Sequence, residues 1–339
     1  MRAKVLALLA LLAASAAAAA AAAGAVAGER TLIVKTTAFG VPLRFEALAG
    51  AGVEAALREA IDAVRELEKA ADPAAGPLAA INAAAGSGPH AAPAALLVAL
   101  TRALTFCRWS EGLQGPLGGA LYELWGLRAV RTALPTEAAL QQATATAACD
   151  RLALDVEHGS LTLTAGARLD LWGFALGAAL DRAAEQLAAR GVADMSLTLG
   201  PVQRARGGGP AGEGWPLQVA VPAHVASFTR NLRLRDQAFA LASGSDGALR
   251  AGGATYPPYL DLRHGQPSSG VIATVAMTDL ATDAQGLATT LFAAGNRHGS
   301  LLLGELRPQP AALWVLGDGS GEPLITDYHW GTRIRRDGG

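Results

Sequence analysis

Residues 169–192 read LDLWGFALGAALDRAAEQLAARGV. From Leu176 the apolar residues recur at Leu180, Ala183 and Leu187, one face of a helix. Asp181, Arg182, Glu185, Gln186 and Arg190 fill the other face. Gly191 follows Arg190, where helices commonly end on a left-handed residue. Upstream, residues 161–171 alternate and carry β-forming types, which predicts a strand with a turn at Ala165 and Gly166. Gly173 and Gly177 permit close backbone approach at the helix start, where free N–H groups and the positive dipole end attract anions. The same glycines also suit a tight strand-to-helix joint with no ligand, and the residues alone leave both readings open.

Working outward, the periodicities predict a chain of interspersed strands and helices. Residues 31–48 read as one or two strands turning at Phe39 and Gly40, and 53–71 as a helix burying Ala56, Ile61, Val64 and Leu67. Further helices are predicted over 93–109, 136–148 and 283–294, with a glycine- and proline-bearing loop over 112–119. Strands are expected at 196–199, 217–221, 272–277 and 311–316, and short strands alternating with turns over 228–262. The sum is an α+β fold, a mixed sheet packed with helices in one compact unit over residues 28–339, without internal repeats.

Lys and Arg number 28 against 29 Asp and Glu, a balance that gives no support to nucleic-acid binding. The opening MRAKVLALLALLAASAAAAAAAAGAVAGER has Arg2 and Lys4, an apolar run and then small residues. It predicts a secretory signal peptide over 1–27, and hence an exported, periplasmic or otherwise extracytoplasmic protein with no membrane span after cleavage. An uncleaved anchor is the alternative, although a run dominated by alanine is only weakly hydrophobic. Cys107 and Cys149 are the two cysteines. An oxidising compartment allows them to pair, whereas the apolar run around Cys107 suits a buried core thiol. No cysteine or histidine pair has metal-binding spacing.

Several segments together resemble the ApbE family of exported FAD:protein FMN transferases. SEGLQGPLGGALYELWGL (residues 110–127) is similar to the family run S-G-G-A-F-D-P-T-V-G-P-L-x-x-L-W-G-F. The opening stretch resembles D-L-G-G-I-A-K-G-Y-A-V-D-R-A, and ALASGSDG (240–247) resembles the A-T-S-G turn. YLDLRHGQP (259–267) is similar to I-I-D-P-R-T-G-x-P, and GLATTLFAAG (286–295) to L-A-T-A-L-F-x-x-G. Ile81 and Asn82 stand where the family has a leucine–asparagine pair, so the similarity runs in order from about Val34 to Gly295.

The resemblance implies FAD as substrate, transfer of its FMN half to a threonine or serine hydroxyl of an exported acceptor flavoprotein, release of AMP, and Mg²⁺ on the phosphates. Carried over residue by residue, it implies flavin-nucleotide contacts from Asp170, Gly173, Gly177, Asp181, Ser243, Gly244, Asp261 and Arg263. Metal oxygens would come from Ala175 (its carbonyl), Gln285 and Thr289. The chain departs from the pattern where charge is expected. Leu176 stands for the family lysine, Gly115 and Leu117 for an aspartate and a threonine, Gln285 for the acidic metal ligand and Pro258 for a histidine. The G-G-D turn reads Gly200, Pro201, Val202. Asp279 and Asp283 are candidates to replace the missing carboxylate. Trp172, replacing a glycine, would either close the nucleotide site or stack on a flavin ring. Three readings follow: a transferase with a drifted site, a binding relative without turnover that holds a flavin or a partner protein, and a structural relative whose pocket is filled by Leu176 and Trp172.

Overall fold

A computed structural model of the chain describes residues 30–128, 133–221, 228–245, 249–251, 253–317 and 321–330. The expected signal peptide lies outside the described residues. The alternating TLIVKTTA and VPLRFEAL form an antiparallel hairpin, β1 (Thr31–Ala38) and β2 (Val41–Leu48). Phe39 and Gly40 turn it with φ of 51° and 72°, the left-handed pair a tight hairpin requires.

Eight strands make the main sheet. After the hairpin come β3 (Met195–Leu199), β4 (Val202–Arg206), then the outlying strands β5 (Trp215–Val221) and β6 (Phe228–Leu234), then β7 (Gln237–Ser243), β8 (Val271–Thr278), β9 (Ala311–Leu316) and β10 (Leu324–Tyr328). The spatial order is β1-β2-β3-β4-β7-β8-β9-β10, with every neighbouring pair antiparallel. The α+β expectation holds, and the sheet expected to be mixed is antiparallel throughout its described pairings.

The central strand β8, VIATVAMT, is buried along its whole length, as a strand covered on both faces must be. The helices are α1 (Val53–Ala70), α2 (Gly76–Ala83), α3 (Ala94–Trp109), α4 (Gly119–Leu124), α5 (Glu137–Thr146), α6 (Ala175–Ala189) and α7 (Ala281–Gly304); α4 and α5 pack in a small separate cluster with Leu260 and Leu262, and α1, α3, α6 and α7 build the larger core on one face of the sheet. The other is covered by the β5–β6 hairpin, whose Trp215, Leu217, Leu232 and Leu234 pack on Ala273, Val275 and Met277. Pairing alternate β5 residues inward leaves Pro216, Gln218 and Ala220 exposed.

The predicted strand over 161–171 ends at Leu163. Beyond it the chain turns, and Asn82 acts as a neighbouring strand would. Its side-chain oxygen accepts the Leu169 N–H at 2.7 Å and its amide donates to the Leu169 carbonyl at 2.9 Å. The helix expected over 283–294 starts at Ala281, breaks at Gly295 (φ 69°, ψ 176°) and resumes to Gly304. Helices α2 and α4 and strands β4 and β10 had no counterpart in the sequence reading; they are short or proline- and glycine-bounded, where periodicity has few residues to act on. The cysteines, left open between core thiol and cross-link, are cross-linked: Cys107 is fully buried and disulfide-bonded to the half-buried Cys149.

Candidate functional site

The opening stretch delivers its residues to two adjoining hollows. Asp170 is 2% exposed, accepts the Trp172 N–H at 2.8 Å and pairs with Arg128, whose Nε donates at 2.6 Å. Burial works against the Arg128 charge, but the bonds it donates to the Asp170 carboxylate and that group's negative charge outweigh it and hold the guanidinium above its ordinary value. Asp170 thus ties the loop before α6 into an Asx turn, which sets the direction of Trp172.

The larger hollow, about 760 Å³, is bounded by Trp125, Trp172, Leu176, Tyr259, Gln285 and Thr289 among others, and Arg250 is the one charged residue on its wall among the described residues. Its volume lies in the range of small-molecule sites. Trp172 and Tyr259 rings lie 5.2 Å apart, and Tyr259 packs on Phe292 at 4.2 Å, so the aromatic wall is braced from behind. The smaller hollow, about 340 Å³, shares Val41, Trp172 and Leu176 with the first and contains Asp170, Arg128 and Ala175.

The remaining candidates support these walls. Ser243 donates its N–H to the Tyr259 hydroxyl at 3.1 Å, and its own hydroxyl lies 2.8 Å from that of Ser245. Gly244 donates to the Ile272 carbonyl at 2.9 Å, and a Cβ there would lie 3.3 Å from the Phe292 ring. Asp261 pairs with Arg263 at 2.7 Å and with His264. Burial raises the Asp261 carboxyl, but the hydrogen bonds from Arg263 prevail and hold it below the ordinary value. That segment is laced to residues 110–127: Gln114 donates to the Leu260 carbonyl at 2.6 Å and the Trp125 indole to the Gly265 carbonyl at 2.7 Å. Two of the quoted segments therefore meet, and their meeting places Trp125 on the cavity wall.

Asp181 and Gly177 face away from the cavity, against α7. The Asp181 carboxylate accepts the N–H groups of Ala281 and Thr282, both at 2.8 Å. A Cβ on Gly177 would stand 2.3 Å from the Ala281 carbonyl oxygen, and one on Gly173 would stand 3.1 Å from the Thr289 hydroxyl. Gly115, where the resemblance places an aspartate, packs on the disulfide: a Cβ there would meet Cys107 Cβ at 2.6 Å. Tyr259, Arg250 and Arg128 were missed by sequence reasoning. None stands in a pattern that marks it, and Arg128 meets Asp170 across 42 residues of chain.

The donor set does not fit Mg²⁺. A hard divalent cation takes about six oxygens, several of them carboxylates or waters. Gln285 Oε1 already accepts the Gly177 N–H at 2.8 Å, and Nε2 donates to the Trp172 carbonyl at 3.2 Å. The Thr289 hydroxyl donates into its own helix, to the Gln285 and Gly286 carbonyls, both at 3.0 Å. Asp283 does not replace the missing carboxylate: it pairs with Arg102, and both border a separate cleft, as does Asp279. Among the described residues no three His, Cys, Asp or Glu side chains gather as a metal site would need.

Comparison with known proteins finds relatives of this fold. The fold is shared with Pseudomonas stutzeri flavinyl transferase ApbE in its apo form, at 20% identity and a TM-score of 0.77, over 88% of this chain and 94% of that one. The flavin transferase ApbE from Vibrio cholerae is similar at 20% identity and 0.76, over 88% and 96%. The ApbE protein of Thermotoga maritima matches at 19% and 0.77, over 88% and 96%. Among curated proteins none matches. The ApbE family model, by contrast, matches residues 34–314; the chain belongs to the ApbE family.

Proposed function

We propose that the aromatic cavity seats a flavin and that the chain serves the reaction its structural relatives are named for, flavin transfer. FAD is the substrate, its FMN half passes to a threonine or serine hydroxyl of an exported acceptor protein, and AMP leaves. The hydroxyl oxygen forms the new bond to the FMN-side phosphorus, the P–O bond to AMP breaks, and the hydroxyl proton passes to solvent. The observation that carries this reading is the aromatic wall of Trp125, Trp172 and Tyr259 inside an ApbE fold. Flat ring systems stack on such surfaces, and Arg250, exposed at the cavity wall, is the positive charge among its described lining residues that a phosphate would meet. The residues present do not fit Mg²⁺, since Gln285 and Thr289 spend their polar atoms on neighbouring backbone.

A second reading, a flavin holder without turnover, is favoured by the engaged amide of Gln285 and the apolar Leu176 at the cavity. Loss of one electrostatic stabiliser at such a site commonly costs about 10²–10³-fold in rate. One incubation separates the two: protein, FAD and a threonine-bearing acceptor flavoprotein, with the acceptor weighed intact. A mass gain of one FMN moiety supports transfer; bound FAD with no gain supports the holder.

Export fits the same reading. The basic start and apolar run of residues 1–27 and the Cys107–Cys149 disulfide support it. Sequencing the N-terminus of the protein recovered from the cell envelope tests it: a start near Gly28 is expected.

A further inference from the structure

We infer that the cavity takes its flavin without a divalent cation, with the Gln285 carboxamide acting as a positioning group where a metal would otherwise organise the site. The inference rests on reading the aromatic cavity as the flavin seat.

Gln285 is 7% exposed and sits where the loop carrying Trp172 meets the first turn of α6. The two groups it joins are of opposite kind: the Gly177 N–H needs an acceptor and the Trp172 carbonyl needs a donor. A neutral carboxamide supplies one of each. A cation supplies neither an acceptor for the N–H nor tolerance of the NH₂ beside it. The amide orientation follows from these partners, since the reverse flip would set like against like at both ends.

Four of the carboxylates around the site are held by partners of their own, and Glu68 and Asp72 border the smaller hollow and not the one that Gln285 lines. Asp170 is held by Arg128, Asp181 by the start of α7, Asp261 by Arg263 and Asp283 by Arg102. Recruiting any of them to a metal would strand a buried or half-buried partner, a costly exchange. Gln285 thus braces the Trp172 loop against α6 by hydrogen bonds alone.

The substitution Gln285→Glu keeps the length and the bond from Gly177 but sets a carboxylate oxygen against the Trp172 carbonyl. Two oxygens face each other there, an arrangement that a cation relieves. The experiment titrates FAD, FMN and riboflavin into the purified chain and into Gln285→Glu, following tryptophan fluorescence, once with EDTA and once with Mg²⁺. The wild-type affinity is expected to differ less than about twofold between the two conditions, whereas Gln285→Glu binds about tenfold more weakly in EDTA and recovers in Mg²⁺. A wild-type affinity that collapses in EDTA overturns the inference, and that arm needs no variant to fold. Equal behaviour of wild type and Gln285→Glu overturns the role given to the amide. Binding of no flavin in either condition defeats the flavin seat itself, and the inference with it.

Discussion

The Asp181 carboxylate on α6 caps a different helix: it takes the Thr282 N–H at 2.8 Å and the Thr282 hydroxyl at 2.7 Å, closing the start of α7. Burial pushes this carboxyl above the ordinary carboxylate value, against the bonds it accepts and the nearby Arg204. Removing it strands the Ala281 and Thr282 donors and leaves Arg204 without its 3.6 Å partner. Asp181→Ala is expected to cost about 3 kcal/mol of stability, read as a lower urea midpoint. FAD affinity, by contrast, stays within about twofold when measured below the unfolding transition, because the side chain does not border the cavity.

Gly177 is the close-contact point of α6 and α7. Its would-be Cβ meets backbone rather than a flexible side-chain end: the Ala281 carbonyl oxygen at 2.3 Å and its carbon at 2.5 Å. Gly177→Ala therefore forces the helices apart, at a cost of about 2–3 kcal/mol. Gly304→Ala is the control. Nothing lies within 4 Å of its Cβ position, and alanine there is expected to be neutral or stabilising in the same denaturation assay.

Trp172 carries the flavin contact on the proposed reading. Trp172→Ala removes one side of the aromatic wall while leaving the Asp170 turn, which is made to the backbone N–H. FAD binding is expected to weaken about tenfold by isothermal titration, with little change in the unfolding midpoint, since the ring is only partly buried.

The disulfide spans a separation of 42 residues, and closing a loop of that size restricts the unfolded chain by about 4 kcal/mol. Reduction, or Cys149→Ser, should lower the urea midpoint accordingly. Unfolding curves with and without dithiothreitol check this, and equal midpoints would count against a cross-link in the native protein.

Asp261 gives stability a pH dependence. Its carboxyl lies below the ordinary 3.8 in the folded chain, so the unfolded chain binds more protons in the window just under that value. The stabilisation is present in full above the ordinary value and is lost as pH falls through the folded value. Asp261→Asn should flatten the loss of stability below about pH 4, seen as a shrinking difference between wild-type and variant melts as acid is added.

Much of the architecture was legible from local pattern. The α1 and α6 stripes and the strands of the Phe39–Gly40 hairpin follow from spacing that neighbours in sequence impose, because backbone geometry sets the periods of 3.6 and 2, and the short apolar run of β8 marks a strand covered on both faces. The order of the quoted segments, Asn82 through Gly295, likewise pointed to the ApbE fold. Short elements such as α4 and β4 carried too few residues for a period to show. The site was legible only as a location. Sequence alone placed Asp181 and Gly177 among flavin contacts, and tertiary packing turned both against α7. It left Gln285 a weak metal ligand, and packing set its two ends on the Trp172 carbonyl and the Gly177 N–H. What a polar side chain does depends on the donor or acceptor that folding brings within 3 Å or so of it, and that partner, 108 residues away for Gly177 and Gln285, is decided by the tertiary structure.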